Sequence, residues 1–248
     1  IDFGASNIRL AVFNEEHKNL FISTKSIIEK NNFEEYFQSI SILIKQAEKE
    51  ISNHLENITV MYDDPKIFSV DLSVRKDFDH KILVNDIYSS IVLEANQLIK
   101  NNHIKKKIIH FISTKTILDG KETLIKFKEN HKAKSIILEI KFICLEHEKY
   151  NQISKIFKRN NLQMLNLFSS SYIKSLSYIN SFNNYKLVSF LDIGYERSTI
   201  LLFYDKKLFY INSIPIGGNH ITKDISNVLN LNNDVAEKIK KSFNKSEN

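Results

Sequence analysis

The stretch IDFGAS at residues 1–6 recurs in altered form far along the chain, as LDIGYE at residues 191–196. Each copy continues into an apolar strand that ends on Phe, then a charged turn, then a second strand that opens Leu-Phe. This pattern predicts one β-hairpin used twice. An Asp at the end of a buried strand can reach a hydrated Mg²⁺, and a Gly two residues later lets backbone N–H groups approach a phosphate. Two such loops facing each other would clamp a nucleotide.

A pair of lobes that each present this hairpin is the arrangement of the superfamily of actin, the heat-shock ATPases and hexokinase. The segment 1–6 resembles its first phosphate motif, and the segment 191–196 resembles its second. The sequence after the second hairpin is more specific. IPIGGNHITKDI at 214–225 and AEKIK at 236–240 resemble the patterns I-P-x-G-G-x-x-x-T-x-D-I and A-E-x-I-K of the bacterial division protein family FtsA.

The middle of the chain agrees with this resemblance. IIHFI at 108–112 and ILDG at 117–120 resemble the L-H-V-I-P strand and the D-G turn of the same family. The resemblance therefore covers essentially the whole chain. It implies an α/β fold with actin-like (ribonuclease H-like) lobes and a small α+β insert of the SHS2 type.

The periodicity of the sequence supports the same organisation. Apolar residues recur at steps of three and four from Phe33 to Leu55, which predicts a long helix between two strands of a parallel layer. Residues 66–146 then read as strand, helix, strand, strand. We expect this unit to be separable, so that its deletion leaves a folded remainder. The predicted domains are the first lobe in two parts, 1–65 and 147–185, the insert at 66–146, and an incomplete second lobe at 186–248.

The sequence begins without Met on the strand that carries the first loop, and it ends just after a helix. We therefore expect it to be a piece of a longer protein. The resemblance implies that the remaining second-lobe segments and a C-terminal amphipathic membrane helix have no counterpart here.

The resemblance also assigns a binding site, and no catalytic residue is predicted. Asp2 and Asp192 would hold the water shell of Mg²⁺, and Gly4, Ser6 and Gly194 would donate to the phosphates. Gly217 and Gly218, which precede a helix, would approach the phosphates or ribose. Glu237 and Lys240, on one face of a helix, would contact the nucleoside. The alternative interpretations are capped strand ends, ordinary turn glycines and a surface ion pair.

The second loop departs from the family pattern D-I-G-G-G-T-T-D, because this chain has DIGYERST at 192–199. Tyr195 and Glu196 replace two glycines. A Cβ at each position opposes a positive φ, and a carboxylate near a triphosphate adds repulsion between like charges. Arg197 could compensate by contacting the phosphates. The cofactors implied by the resemblance, ATP and Mg²⁺, are therefore expected to bind weakly, and a nucleotide-inactive scaffold is an alternative.

Composition narrows the classes of function. The chain has 248 residues, 42% of them hydrophobic, which is ample for a buried core. Its formal net charge of +6 comes from scattered Lys and Arg, so we predict a solvated basic surface and no nucleic-acid partner. The single cysteine, Cys144, lies in an apolar run and predicts a buried thiol in a reducing cytoplasm.

The resemblance predicts an FtsA-like, ATP-binding protein of the divisome that recruits and tethers FtsZ at the inner membrane during septum formation. Its partners would be FtsZ, other division proteins and further copies of itself in actin-like protofilaments. It would lie in the bacterial cytoplasm, peripheral to the cytoplasmic face of the inner membrane, and would be at most a slow ATPase. The alternatives are a pilus or competence assembly protein of the same fold and, from another class, a sugar or acetate kinase.

Overall fold

The computed structural model describes residues 1–27, 32–123 and 130–243. Within these residues the strands form three sheets flanked by helices, which confirms the predicted α/β class. The described residues contain no helix with the length and apolar character needed to cross a membrane. The domain boundaries stay predictions, and residues 28–31, 124–129 and 244–248 lie outside the described part.

The first sheet consists of the five strands β1 (Asp2–Phe3), β2 (Asn7–Phe13), β3 (Asn19–Ser26), β4 (Asn57–Met61) and β9 (Gln163–Phe168). Their order in space is β3-β2-β1-β4-β9, with β1 and β9 both parallel to β4. Helices α1 (Phe33–Ile51), α3 (His147–Arg159) and α4 (Ser170–Ile179) accompany this sheet. Because β1, β4 and β9 are parallel, their carboxyl ends meet at one edge, and the first loop lies there.

The long helix α1 follows the predicted periodicity. Asn32 caps its start by accepting the N–H of Glu34, and the helix ends at Ser52, whose φ is 53°. Its buried face consists of Ser39, Ile40, Leu43, Ile44 and Ala47. This spacing of three and four residues is what places one stripe of the helix against the sheet.

The second sheet consists of β5 (Phe68–Leu83), β6 (Lys106–Leu118), β7 (Lys121–Glu122) and β8 (Lys132–Glu146), with helix α2 (Val84–Asn102) between β5 and β6. The order in space is β5-β8-β6-β7, and the pairs are antiparallel. The predicted succession of strand, helix and two strands is present. The central strand β8 is buried over residues 140–145 on both faces, including the thiol of Cys144.

The third sheet consists of β10 (Leu187–Ile193), β11 (Ser198–Tyr204) and β12 (Lys207–Ile214), followed by α5 (Gly218–Leu229) and α6 (Asn233–Ser242). A short 3-10 turn, Asn180–Phe182, connects α4 to this part of the chain. The strands are antiparallel in the order β10-β11-β12. Phe203 on β11 stacks against Tyr172 of α4 and makes an edge contact with Phe190 of β10.

One hydrophobic core joins the three sheets. It contains Ile67, Ile109, Ile143 and Leu145 from the second sheet and its borders, together with residues of the first and third sheets. A second, smaller core lies between α2 and the inner strands of the second sheet. The second sheet is thus covered by α2 on one side and contributes to the main core on the other, which argues against the separability expected from the sequence.

Candidate functional site

The two predicted hairpins have the same geometry in the structure. In each copy the Asp pairs with the residue seven positions later, Asp2 with Arg9 and Asp192 with Thr199. Each hairpin also has a register shift directly before a Phe, at Phe13 and Phe203. A bulge at the same place in both copies shows that the repeat extends through the whole hairpin.

The loop turns match as well. The N–H of Gly4 donates to the carbonyl oxygen of Asn7 at 3.1 Å, and the N–H of Gly194 donates to that of Arg197 at 2.8 Å. A Cβ on Gly4 would lie 2.7 Å from the Asn7 oxygen, and one on Gly194 would lie 3.1 Å from the Arg197 oxygen. The backbone approach therefore requires glycine at the first turn, whereas at the second turn a Cβ would require the loop to shift by a few tenths of an ångström.

A cavity of about 490 Å³ lies between the two loops. Of the nine residues predicted for the site, eight line it: Asp2, Gly4, Ser6, Asp192, Gly194, Gly218, Glu237 and Lys240. The structure thus brings together residues from both ends of the chain. Their role in binding a nucleotide stays a prediction.

Gly217 is the one predicted site residue that does not line the cavity. It packs against the backbone of the second loop instead. A Cβ there would lie 2.6 Å from the Arg197 nitrogen and 2.6 Å from the Gly194 oxygen. Behind it, the N–H groups of Gly218 and Asn219 donate to the carbonyl oxygens of Gly194 and Tyr195 at 2.9 and 2.8 Å. The first N–H groups of α5 therefore bind the second loop itself, which changes the expectation that they are free to bind an anion.

Glu237 and Lys240 form an ion pair at 2.6 Å on one face of α6. Lys240 Nζ also donates to the carbonyl oxygen of Gly218 and to Thr222 Oγ1, at 2.9 and 2.8 Å. Partial burial acts to raise the pKa of Glu237, but hydrogen bonds from Lys240, Thr222 and Lys241 outweigh it and lower the pKa to about 2. The pair connects α5 to α6 at the cavity wall, and a contact with a nucleoside stays a prediction.

The two predicted Mg²⁺ ligands are held beside one helix. Asp2 accepts from Ser170 Oγ at 3.1 Å and from Arg9 at 2.9 Å. Asp192 accepts from Lys174 at 3.1 Å and contacts Ser171 Oγ at the same distance. Carboxylate oxygens suit a hard cation, and two of them fit a Mg²⁺ that keeps most of its water. The described residues hold no group of three or more Asp, Glu, His or Cys able to enclose an ion directly.

Sequence reasoning missed a set of buried polar residues behind these carboxylates. Asp63 follows β4, and Ser169, Ser170 and Ser171 lie at the start of α4. Ser169 is the N-cap of α4, since its side chain accepts the N–H of Tyr172. The signal that could have found the rest was topological: Asp63 ends a strand parallel to β1, so it had to lie at the same edge of the sheet as Asp2.

The strain expected at Tyr195 and Glu196 is absent. Neither residue has a positive φ, so these side chains fit the loop without backbone cost. Glu196 and Arg197 both line the cavity. The Arg197 guanidinium lies 5.4 Å from the centre of the Tyr62 ring, in cation–π range. The remaining obstacle to a triphosphate is therefore the charge of Glu196, with Arg197 close enough in sequence to offset it.

His110, on β6, connects the second sheet to the same region. Its Nε2 accepts the N–H of Ser169 at 2.8 Å, and its ring lies against Phe168 and Tyr172. Burial lowers the pKa of His110 to about 4. A proton on Nε2 would face the Ser169 N–H donor, so the folded protein requires the neutral ring.

We expect the free energy of unfolding to fall as the pH drops from about 6.5 to about 4. Between these pH values His110 is protonated in the unfolded chain but stays neutral in the folded protein. The contribution of His110 to stability is therefore fully present above about pH 6.5 and is lost as the pH falls toward about 4. The largest loss is about 3 kcal/mol, from the shift between the two pKa values. Urea unfolding at pH 7 and pH 4.5 measures it.

His110→Gln keeps an acceptor for Ser169 and should flatten this pH dependence. His54→Gln is the matched control, because the His54 side chain is 92% exposed. An unchanged pH dependence in His110→Gln would show that other groups cause it.

Comparison with known proteins agrees with this geometry. The family model described as Cell division protein FtsA matches residues 189–247. The FtsA of Helicobacter pylori strain J99 is 23% identical over 153 residues, which cover 59% of this chain and 31% of the relative. The FtsA of Bacillus subtilis strain 168 is 26% identical over 152 residues, covering 60% of this chain and 34% of the relative. The match therefore spans about a third of the length of these curated relatives.

Two solved structures share the fold. A chain of the PilM-PilN type IV pilus biogenesis complex superposes with a TM-score of 0.67 and 14% identity, covering 98% of this chain and 69% of that one. The ethanolamine utilization protein EutJ from Carboxydothermus hydrogenoformans gives a TM-score of 0.51 and 12% identity, covering 98% of this chain and 60% of that one. The arrangement of sheets and the paired loops place the chain in the class of proteins with an actin-like ATPase fold. Within that class, the family match and the curated relatives show that this chain is similar to FtsA.

Proposed function

We propose that this chain carries the nucleotide cleft of an FtsA-like division protein that recruits FtsZ and tethers it to the inner membrane during septum formation. The observation that supports this most is the pair of loops with matching register and turns, which open on one cavity. The FtsA model matches the part of the chain that carries the second loop.

At this cleft, Asp2 and Asp192 would hold a hydrated Mg²⁺, and Gly4, Ser6 and Gly194 would face the phosphates. The ion, when bound, would neutralise charge on the phosphates. The chain itself orients the two carboxylates and connects the loops to α4 and α5. Nucleotide would favour one arrangement of the lobes and so favour contacts between successive copies in a protofilament, with hydrolysis slow or incidental.

The partners belong to the complete protein. We propose that it lies at the cytoplasmic face of the inner membrane, attached by a helix outside the present sequence, and that FtsZ binds segments of the second lobe that are also outside it. Co-sedimentation of the full-length gene product with FtsZ filaments of the same organism tests this. Absence of binding at micromolar concentrations would contradict it.

A pilus assembly role is the alternative, since a chain of the PilM-PilN complex has the same fold. At 14% identity that likeness carries the fold alone. The co-sedimentation assay separates the two roles, because a pilus assembly protein should stay in the supernatant when FtsZ filaments sediment.

We expect the chain to bind Mg-ATP weakly, with a Kd on the order of 0.1 mM, about −5 kcal/mol. Since Tyr195 and Glu196 cause no backbone strain, the opposition is electrostatic. Glu196→Gln should tighten binding several-fold, equivalent to about 1 kcal/mol, whereas Tyr195→Gly should change it little. Asp2→Ala should weaken binding by removing a ligand of the Mg²⁺ water shell. Calorimetry measures each Kd.

Glu50→Gln provides the charge-matched control, because Glu50 is exposed on α1 and does not line the cavity. Equal tightening by Glu50→Gln would mean that net charge, and not the second loop, governs affinity. Sub-micromolar binding by the unmodified chain would show that Glu196 presents no obstacle.

A further inference from the structure

Three successive serines at the start of α4 lie buried between three carboxylates. Ser169, Ser170 and Ser171 are 0%, 4% and 3% exposed. A buried hydroxyl is stable only with a hydrogen-bond partner, and here each one contacts an Asp. The carboxylates come from distant parts of the chain, so this serine run is a meeting point of both lobes.

Asp63 lies at the centre of this arrangement and is only 6% exposed. One of its oxygens accepts from Ser169 Oγ at 2.7 Å. The other accepts from the N–H and the Oγ of Ser171, at 2.8 and 2.5 Å. A buried carboxylate would be costly without such donors, and it also faces the positive end of the α4 dipole. Asp63 therefore fixes the orientation of the serine run.

The serine run in turn contacts the two carboxylates of the cleft. Ser170 Oγ donates to Asp2 Oδ1, and Ser171 Oγ lies at the same distance, 3.1 Å, from Asp192 Oδ2. A hydroxyl has one proton, so Ser171 can donate to Asp63 or to Asp192 but not to both at once. The shorter contact with Asp63 holds that proton. Asp192 then depends on cations, which are Lys174 at 3.1 Å and any metal ion in the cleft.

We propose that Asp63 is a positioning residue that, through the serine run 169–171, orients Asp2 and, by holding the proton of Ser171, leaves Asp192 available to a cation. The proposal rests on the proposed nucleotide site only for the Mg²⁺ part. The hydrogen bonds of the serine run are a property of the chain without ligand. The second sheet contributes as well, since His110 accepts the N–H of Ser169.

Hydrogen exchange of the ligand-free protein tests the orientation. Ser170→Ala should speed exchange in the first loop, residues 2–6, because Asp2 loses a hydrogen bond. Asp63→Asn should also speed exchange there, and should slow it in the second loop, residues 192–197, because Ser171 can then donate to Asp192. We expect changes of roughly two- to tenfold, as for one hydrogen bond lost or gained. Ser177→Ala is the matched control, because Ser177 lies on the same helix and bonds only to the Lys174 carbonyl among the described contacts.

A second measurement is the effect of Mg²⁺ on ATP binding. In wild-type protein, Mg²⁺ should tighten ATP binding relative to EDTA, and in Asp63→Asn this ratio should fall about threefold or more, because Ser171 can then donate to Asp192. If ATP does not bind at all, the proposed nucleotide site fails, while the exchange pattern still decides the role of Asp63.

The proposal is overturned if Asp63→Asn lowers stability but leaves exchange in both loops at the Ser177→Ala level, since a plain helix cap would give that result. Should Asp63→Asn fail to fold, Ser171→Ala decides alone, because exchange at residues 192–197 should then stay at the Ser177→Ala level. Faster exchange there would show that Ser171 donates to Asp192 and would also overturn the proposal.

Discussion

Deletion of residues 66–146, with Pro65 joined to His147 through a short Gly-Ser linker, is expected to abolish cooperative unfolding of the remainder. The deletion removes Ile67, Ile109, Ile143 and Leu145 from the main hydrophobic core. These side chains are almost fully buried, and each costs roughly 2–5 kcal/mol when truncated to Ala. Their joint loss approaches or exceeds the 5–15 kcal/mol by which a typical domain is stable. Circular dichroism during thermal unfolding measures the result.

Point substitutions test the same idea without a large deletion. Ile143→Ala should lower the free energy of unfolding by 2–5 kcal/mol, because Ile143 is fully buried in the main core. Leu93→Ala should change it by less than about 0.5 kcal/mol, because Leu93 is 59% exposed on α2 of the same segment. A deletion variant that unfolds as sharply as the parent chain would restore the separable unit predicted from sequence.

The contribution of the second sheet to the main core shows where sequence reasoning stops. The succession of elements in residues 66–146 could be predicted, because strands and helices leave local periodicities. The other face of the sheet could not, since its packing depends on residues far along the chain. Apolar residues in β8 are consistent with either one buried face or two, and only the folded structure shows that both faces of residues 140–145 are covered, with Ile143 and Leu145 in the main core.

The length of the first strand in this segment could not be predicted, for a physical reason. β5 runs from Phe68 to Leu83 and pairs with β8. Its second half, from Arg75 onward, contains mostly charged or polar residues that are exposed or half-exposed, so it lacks the alternation of apolar side chains that identifies a strand. Backbone pairing across the ladder holds it in place instead.

The candidate site also contains residues that could be predicted from the sequence and residues that could not. The loop glycines and both cleft carboxylates could be predicted because the hairpin is repeated, and a repeat makes each weak motif informative. Asp63 and the serine run have no such motif. Their contacts join residues more than a hundred positions apart, such as Ser169 with Asp63 and Ser170 with Asp2. Only the topology of the first sheet brings them together.

Gly217→Ala is expected to lower the free energy of unfolding by roughly 1–3 kcal/mol, the usual cost of overpacking. The added Cβ would lie 2.6–2.7 Å from three backbone atoms of the second loop. Backbone atoms have no rotamer with which to move aside. The start of α5 would therefore move away from the loop and weaken the hydrogen bonds from Gly218 and Asn219.

Gly218→Ala is a control one residue away. A Cβ there would meet Lys240 Nζ at 3.5 Å and the Gly194 oxygen at 3.7 Å, which are ordinary van der Waals contacts. Gly218 has no positive φ, and alanine favours the helix by up to about 1 kcal/mol, so this variant should be as stable as the parent or more so. Urea unfolding of the two variants side by side measures the difference. Equal stability would mean that the second loop yields to the added methyl group, and that Gly217 is an ordinary turn residue at the start of the helix.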